Sequence, residues 1–263
     1  ALDHAEGREI IAAGLEDERF IGHATEGFEA YRTAVDPYTL EYAERETGVP
    51  ADAIRQLAHE FANAKRAMMC WTLGITEHHN GVDNVLALIS LVLLTGHVGR
   101  YGSGVNPLRG QNNVQGGGDM GALPDRLVGF QHVENDALRA KFDQAWGVTV
   151  PPRRGWHLSG MFDAMERGDL TVAYCIGENP VQSEADQRRT IRLVEGLDLL
   201  VVQDLFLTRT AAIADVVLPA TAGWAESEGT VTNSERRVQR VRRSVEPPDG
   251  ARDDLAIIFE LAR

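Results

Sequence analysis

An alternating order of strand and helix signals in residues 170–218 constrains the fold more than any other feature of the sequence. Short apolar runs of the kind that forms buried strands alternate there with segments of helical pattern. We predict strands at Leu170–Ile176, Leu199–Gln203 and Val216–Leu218, and helices at Glu184–Glu195 and Thr208–Ala214. A β-α-β-α-β order is typical of a parallel sheet with crossover helices, so the sequence predicts an α/β fold.

Glycine and polar residues follow the strands of this predicted sheet. Parallel sheets bind ligands at the carboxyl ends of their strands, and an aspartate after a second strand commonly accepts hydrogen bonds from a ribose or a purine edge. No G-x-G-x-x-G motif is present, so a plain NAD site is not predicted, and spacing alone leaves a nucleotide-like ligand as an open alternative. The candidate residues are Gly177, Glu178, Asn179, Asp204, Leu205, Thr208 and Thr221.

A glycine-rich stretch, Thr95–Gly121, is the second feature that limits the structure. Nine of its 27 residues are glycine, which loses more backbone entropy on folding than any other residue. The stretch is either a long ordered loop between two domains or a bed that a ligand approaches closely. Its one arginine in the second half, Arg109, could grip a carboxylate or phosphate with a planar fork. The amides that could read a planar ligand are Asn106, Gln111, Asn112, Asn113 and Gln115.

The first third of the chain is predicted to be scaffold. Residues 4–66 have helical patterns, with Asp17 and Thr39 as candidate caps. A buried parallel strand is predicted at Ala67–Gly74, a loop at Ile75–Gly81, and a helix at Val82–Leu94 that is apolar nearly all round and therefore buried. We interpret Glu77, His78 and His79 as polar loop residues, because adjacent side chains seldom converge on one metal ion.

Composition and charge exclude several classes of function. The net charge of −13 and the pI near 5.1 argue against non-specific binding to nucleic acid and to anionic membranes. The longest apolar run is too short to span a bilayer, and the first residues lack the apolar core of a signal peptide. Cys70 and Cys175 lie in apolar contexts and are predicted to be reduced, buried thiols. Because no C-x-x-C motif is present, no zinc site, iron–sulfur site or redox pair is predicted, and no residue is assigned to a metal.

The tail of the chain is polar again. Trp224–Arg243 contains five arginines and is either a solvated charged face or an anion site with neutral donors. The donors would be Gly229, Thr230, Thr232, Asn233 and Ser234. Asp253 is predicted to cap a last helix, Asp254–Arg263.

The segment Asn106–Gly116 (NPLRGQNNVQG), followed by Asp119–Pro124 (DMGALP), closely resembles the catalytic subunits of molybdenum- or tungsten-dependent formate dehydrogenases. These proteins are molybdopterin oxidoreductases of the dimethyl sulfoxide reductase family. The resemblance covers essentially the whole chain and includes Leu73–Thr76, Leu94–Gly96, Ile176–Pro180, Val202–Phe206, Ala214–Pro219 and Glu228–Arg237. The Arg-Gly-Gln-Asn-Asn run favours formate dehydrogenase over nitrate-reducing relatives, in which a Thr-Gly-Gln-Pro type of segment stands there.

The resemblance implies a fold of two Rossmann-like three-layer lobes with mainly parallel sheets. Residues 1–111 would be part of an α/β lobe carrying the substrate arginine, 112–227 a second, nucleotide-binding α/β lobe, and 228–263 a tail that belongs to a further, incomplete domain. It also implies two molybdopterin guanine dinucleotides holding one Mo or W, and oxidation of formate to carbon dioxide.

The resemblance assigns roles to individual residues. Arg109 would face the metal and orient formate. The pterin would lie on Gln111, Asn112, Asn113 and Gln115. One guanine nucleotide would be held by Gly177, Glu178, Asn179, Asp204 and Thr208, with Asp204 accepting from the guanine N1 and N2 edge.

The sequence also departs from the family pattern. The cysteines that bind iron–sulfur clusters and the cysteine or selenocysteine that ligates the metal lie upstream in the family, and Gly117-Gly118 stands where relatives usually have Ala-Cys. We therefore predict an internal fragment of a catalytic subunit that is inactive alone. Its partners would be formate, the remainder of that subunit with its iron–sulfur domain, and electron-transfer subunits, in the cytoplasm or, alternatively, exported with the parent enzyme.

Two alternatives remain from the sequence. One is a non-catalytic, truncated homologue that binds a guanine nucleotide or a partner subunit. The other is a relative that reduces another substrate, such as nitrate.

Overall fold

The protein forms two compact units. The computed structural model describes all 263 residues, and they divide into Ala1–Gln111 and Asn112–Arg263. No helix in either unit combines the length and the apolar character needed to cross a bilayer.

The first unit is mainly helical. Ile10, Ala58, Leu91 and Leu94 form the centre of one of its apolar clusters. Its elements are, in order, α1 (Leu2–Ala12), α2 (Glu18–Ala24), α3 (Phe28–Val35), α4 (Leu40–Thr47), α5 (Ala51–Asn63), β1 (Met68–Trp71), α6 (Leu73–Thr76), α7 (Gly81–Leu94) and β2 (Gly104–Pro107). The two predicted caps are confirmed, because Asp17 accepts a hydrogen bond from the Phe20 amide and Thr39 accepts one from the Tyr42 amide.

The strand after the scaffold helices is shorter than predicted, and the glycine-rich stretch contains its partner. β1 pairs in parallel with β2, with Trp71 opposite Pro107. The Leu108 amide donates to the Trp71 carbonyl at 2.7 Å, so proline at 107 removes no bond to β1, because its nitrogen faces the other edge of β2. The short helix α6 replaces the end of the predicted strand and the start of the predicted loop.

The prediction that the apolar helix is buried on all sides is wrong. Leu91, Val92 and Leu94 of α7 are buried, but Val82 is 75% exposed and Leu86 is 53% exposed. The reason is geometrical: α7 contacts α1, α2, α6 and β2, and these elements cover only part of its apolar surface.

The second unit contains the predicted parallel sheet. Its elements are α8 (Val114–Asp119), β3 (Arg126–Leu127), β4 (Gln131–His132), α9 (Asp136–Trp146), α10 (Leu158–Arg167), β5 (Val172–Ile176), α11 (Pro180–Ser183), α12 (Gln187–Glu195), β6 (Leu199–Asp204), β7 (Val216–Pro219), β8 (Gly229–Thr232), β9 (Val238–Val241) and α13 (Asp254–Leu261). A 3-10 turn, Ala211–Ile213, lies between β6 and β7.

Strands β5, β6 and β7 lie side by side in that order and are all parallel, which confirms the predicted parallel sheet. One face of the sheet is covered by α10 and α12, where Phe162, Val194, Leu200 and Val202 form the main core. With β1 and β2 also parallel, and β3–β4 and β8–β9 as antiparallel pairs, the mixed α/β class with mainly parallel sheets is confirmed.

Three local predictions for the second unit are corrected. The helix predicted at Glu184–Glu195 begins later, at Gln187, because Glu184 is extended and Asp186 caps α12 by accepting from the Arg189 amide; a separate short helix, α11, precedes it. The segment Thr208–Ala214 forms only the 3-10 turn. The arginine-rich tail contains an unpredicted hairpin, β8–β9. The final helix has the predicted Asp253 cap, whereas the proposed domain boundary at 227 stays a prediction.

Candidate functional site

The carboxyl edge of the parallel sheet brings the predicted nucleotide residues together. Gly177, Glu178 and Asn179 directly follow β5, and Asp204 ends the neighbouring strand β6. The Gly177 amide donates to the Gln203 carbonyl at 2.9 Å, which joins the two strand ends. Gly177 has φ of 63°, a conformation that favours glycine, and no atom lies within 4 Å of the place where a Cβ would stand. This edge is therefore open to a ligand.

Asn179 is fixed by hydrogen bonds from Thr210, a residue that the sequence does not identify as part of the site. Its Oδ1 accepts hydrogen bonds from the amide of Thr210 at 3.1 Å and from the hydroxyl of Thr210 at 2.8 Å. Thr210 is fully buried and its Oγ1 also accepts from the Val181 amide. Thr208 accepts from the Ala211 amide at 3.2 Å. The sequence around Thr208 and Thr210 gives no sign of which one bonds to Asn179. That role of Thr210 depends on the position of Asn179 in the folded chain.

Two oxygen atoms at the same edge have no protein partner. Asp204 is half-buried, and its Oδ1 accepts from the Leu205 amide at 2.6 Å while its Oδ2 forms no hydrogen bond. The Thr221 hydroxyl, just beyond β7, is buried and has no hydrogen-bond partner. Buried polar atoms normally have partners, so both oxygens are available to a bound group.

Both cysteines are free thiols, as predicted. The predicted burial is wrong for Cys70, which is exposed, whereas Cys175 is half-buried. Cys70 lies on a two-stranded sheet that its unit does not cover on both faces. Burial, with the nearby charges of Glu178 and Asp204, raises the pKa of the Cys175 thiol to about 11. The thiol donates to the Glu178 carbonyl at 3.4 Å and supports the loop after β5.

The residues of the glycine-rich stretch fall into two groups. Arg109 and Gln111 in the first unit and Asn112 in the second are exposed, and their side chains form no hydrogen bond or ion pair. Asn113 precedes α8 with φ of 60° and bonds to β8 through both ends of its amide. Gln115 donates to Asp119 Oδ1 at 3.0 Å. The free donors are thus Arg109, Gln111 and Asn112.

The predicted anion site in the tail loses part of its donor set. Asn233 Nδ2 donates to Gln239 Oε1 at 3.1 Å, and its Oδ1 accepts from the amides of Glu235 and Arg237 in the turn of the β8–β9 hairpin. Arg240 is paired with Glu228 at 2.6 Å. Arg243 is paired in the same way with Glu246. A compact anion site would need these groups free, so the hairpin uses them mainly for its own structure.

No group of three or more histidine, cysteine, aspartate or glutamate side chains is arranged to hold a metal ion. His78 and His79 follow α6, and the His78 ring contacts the Gly74 carbonyl at 3.0 Å. The interpretation of these residues as polar groups of a turn agrees with this contact.

A parallel sheet with unshared polar atoms at its carboxyl edge is thus joined in sequence to a glycine-rich segment with an unpaired arginine. The profile of the family described as molybdopterin oxidoreductase matches residues 48–263, and the chain belongs to this family.

Several relatives in sequence are named as formate dehydrogenases. The chain is 45% identical over all 263 residues to formate dehydrogenase H of Escherichia coli (strain K12), covering 37% of that protein. It is 45% identical over 262 residues to the F420-dependent formate dehydrogenase subunit alpha of Methanocaldococcus jannaschii, covering 38% of it. The chain thus spans less than two fifths of the length of these relatives.

The fold is shared with a solved structure, acetylene hydratase from Pelobacter acetylenicus. The TM-score is 0.73 at 22% identity, over 99% of this chain and 38% of that one. At this identity the likeness concerns the fold.

Membership of the family implies a molybdopterin cofactor with Mo or W. The residues at the sheet edge fit a large group rich in hydrogen-bonding atoms. Gly177 leaves space where a side chain would intrude, Asp204 offers an unshared carboxylate oxygen, and Thr221 has an unpartnered buried hydroxyl.

Proposed function

We propose that the chain is the central part of the catalytic subunit of a formate dehydrogenase. Formate would be oxidised to carbon dioxide, a proton and two electrons at Mo or W held by two molybdopterin guanine dinucleotides. The observation that carries the proposal is the 45% identity over the whole chain to two proteins named as formate dehydrogenases. The same similarity favours formate over nitrate as the substrate.

Arg109 is proposed to orient formate. It lies two residues beyond β2, is exposed, and has no hydrogen bond or ion pair within the protein. A guanidinium group presents parallel N–H donors that match the two oxygens of a carboxylate, and its charge persists at every physiological pH. With its donors unshared, Arg109 keeps them for an anionic substrate.

The carboxyl edge of the sheet is proposed to hold the guanine end of one dinucleotide. Asp204 Oδ2 is free to accept from the N1 and N2 edge of guanine, and the open backbone at Gly177 allows the nucleotide to approach. Glu178 is exposed beside them. Asn179 and Thr208 are proposed to shape the edge, since their side-chain oxygens already accept bonds from the protein.

The free amides of the glycine-rich stretch are proposed to contact the pterin. Gln111 and Asn112 have unshared donors and acceptors for its ring nitrogens and carbonyl. When bound, the metal–pterin centre supplies the two-electron redox chemistry, while the residues of the chain bind and orient. The electrons would pass to iron–sulfur clusters of the remaining polypeptide and to electron-transfer subunits; a cytoplasmic or exported location stays a prediction.

The role of Arg109 is tested in the natural polypeptide that carries these residues. We expect Arg109→Ala to lower kcat/KM for formate by about 10²–10³, the usual cost of removing one preorganised charged donor from a reacting oxyanion. The kcat/KM of Arg109→Lys should lie between those of the wild type and Arg109→Ala, because lysine keeps the charge and loses the bidentate fork. Formate-dependent reduction of a dye is the measurement.

Arg153→Ala provides the control, since Arg153 is an exposed arginine without an ion pair. Its turnover should equal that of the wild type. Unchanged formate turnover in Arg109→Ala would contradict the proposed role, and absence of formate turnover in a pterin-loaded wild type would contradict the proposed substrate. The same assay tests the prediction that the 263 residues alone are inactive.

A further inference from the structure

Asn113 differs from the neighbouring amides in what its side chain contacts. Its Oδ1 accepts from the Thr232 amide at 2.9 Å, and its Nδ2 donates to the Thr230 carbonyl at 3.3 Å. Thr230 and Thr232 are two residues apart in β8, so these groups lie on the strand edge that faces away from β9. The amide of Asn113 therefore occupies the place of a third strand.

The local backbone is arranged for this contact. Asn113 has φ of 60°, which asparagine tolerates better than most residues. Gly116, one helical turn later, is buried, and a Cβ at that position would lie 2.0 Å from Asn113 Oδ1. The glycine at 116 therefore leaves the space that the Asn113 side chain fills.

We propose that Asn113 is a positioning residue that joins the glycine-rich segment to the β8–β9 hairpin, so that the hairpin forms a wall of the pterin bed. This inference rests on the proposed function for the presence of the pterin. It separates the row of amides by role: Gln111 and Asn112 contact the cofactor, and Asn113 holds the bed in shape.

The occupied hydrogen bonds support this division. An amide that bonds to two backbone groups of one strand has little capacity left for a ligand, because only one N–H and one lone pair remain. An adjacent asparagine, Asn112, is exposed and has all its groups free. The two residues thus form a natural pair for comparison.

The contact itself is tested by amide hydrogen exchange of Thr232 in the 263-residue chain. Asn113→Gly removes the side chain without straining the left-handed backbone, and it should accelerate exchange at Thr232 at least tenfold. Asn113→Asp keeps the acceptor for the Thr232 amide and should give an intermediate rate. Asn112→Gly should leave the rate unchanged. Equal rates in Asn113→Gly and the wild type would overturn the proposal.

A double-mutant cycle tests the role of Gly116. Gly116→Ala should lower the urea midpoint when Asn113 is present, because the new methyl group displaces the Asn113 side chain. In the Asn113→Gly background the same change should raise the midpoint, since alanine is the better helix residue. The same sign in both backgrounds would overturn the proposed packing.

The positioning role is tested by the ratio of pterin to protein in the natural polypeptide, measured from pterin absorbance. Asn113→Gly should lower the ratio several-fold, with partial rescue by Asn113→Asp. Val194→Ala, in the core beneath the sheet, is a control for lost stability and should keep the wild-type ratio. An equal loss in Val194→Ala, or no loss in Asn113→Gly, would overturn the inference, while a wild type without pterin would overturn the proposed function.

Discussion

The two units treat the polar residues that follow their parallel strands in different ways. In the second unit, Asn179 is bonded twice to the buried Thr210, and Gly177 is bonded to the end of the neighbouring strand. In the first unit, Arg109 follows β2 and forms no bond with any residue. The edge of the second unit is held in place by its own residues, whereas Arg109 keeps its donors unshared. The second unit thus contains a preorganised edge, and the first unit contains an arginine whose donors are available to a ligand.

Buried polar groups show the same contrast. Gln203 in the second unit is fully buried and neutral, and it is bonded to Tyr174 and Asp254. In the first unit, Glu6 is only 5% exposed, and burial, followed by the charge of Asp3, raises its pKa from 4.5 to about 7. The first unit therefore contains a buried ionisable carboxyl, whereas Gln203 cannot ionise.

The largest expected effect is the pH dependence caused by Glu6. Its folded-state pKa is raised, so its contribution to stability is fully present below pH 4.5 and is lost as the pH rises through about 7. The loss should be about 3 kcal/mol, since each pKa unit corresponds to about 1.4 kcal/mol. Glu6→Gln should remove this decline in urea unfolding of the first unit between pH 5 and pH 8.

Glu44→Gln serves as the matched control, because Glu44 is exposed on α4. It should leave the pH dependence unchanged. If Glu6→Gln and Glu44→Gln gave the same pH profile, the proposed contrast in buried charge between the units would be broken.

The next effect tests the internal bonding of the sheet edge. Asn179→Ala leaves the buried amide and hydroxyl of Thr210 without their acceptor, so it should destabilise the second unit by about 2 kcal/mol. Asn112→Ala removes an exposed amide without bonds and should stay within about 0.5 kcal/mol of the wild type. Urea unfolding monitored on the second unit distinguishes them, and equal stabilities would remove the argument for preorganisation.

A smaller effect on stability is expected when a glycine with positive φ and a glycine within a helix are each replaced by alanine. Gly177→Ala meets no neighbouring atom but places a Cβ at φ of 63°, which should cost about 1 kcal/mol. Gly117→Ala, in the helix α8 with nothing nearby and without a positive φ, should stabilise by up to about 1 kcal/mol. Thermal unfolding of both variants tests the opposite signs; a shift in the same direction would contradict the backbone argument.

The smallest effect concerns Arg109 and sharpens the comparison most directly. Arg109→Ala should change the stability of the chain by less than about 0.5 kcal/mol, because the guanidinium has no partner to lose. Arg139→Ala should cost about 1 kcal/mol, since Arg139 bonds to the Val133 carbonyl and to Asp136. A marked loss of stability in Arg109→Ala would show that the first unit does hold its arginine.

Much of the fold could be predicted from the sequence because its signals are local. Apolar runs located β5, β6 and β7, and the cap residues Asp17 and Thr39 located helix starts. The sequence motif around Arg109 led to the family, which the profile match then established. The candidate residues at the sheet edge could be placed together because the carboxyl ends of parallel strands meet at one edge.

Features that depend on distant partners could not be predicted in this way. The hairpin β8–β9 is not predicted because the charged residues of this segment give no clear strand pattern, and the sequence of α7 does not contain the neighbours that leave Val82 exposed. The role of Thr210 depends on Asn179, which lies 31 residues earlier.

The adjacent residues Asn112 and Asn113 show where the division lies. The sequence by itself determined the order of the strands, the family and the presence of an arginine among amides, since periodicity and motif are properties of neighbouring residues. Only the tertiary structure decided which amide is free and which is engaged. The two side chains are chemically identical, and the approach of Thr230, 117 residues further along the chain, is what distinguishes them.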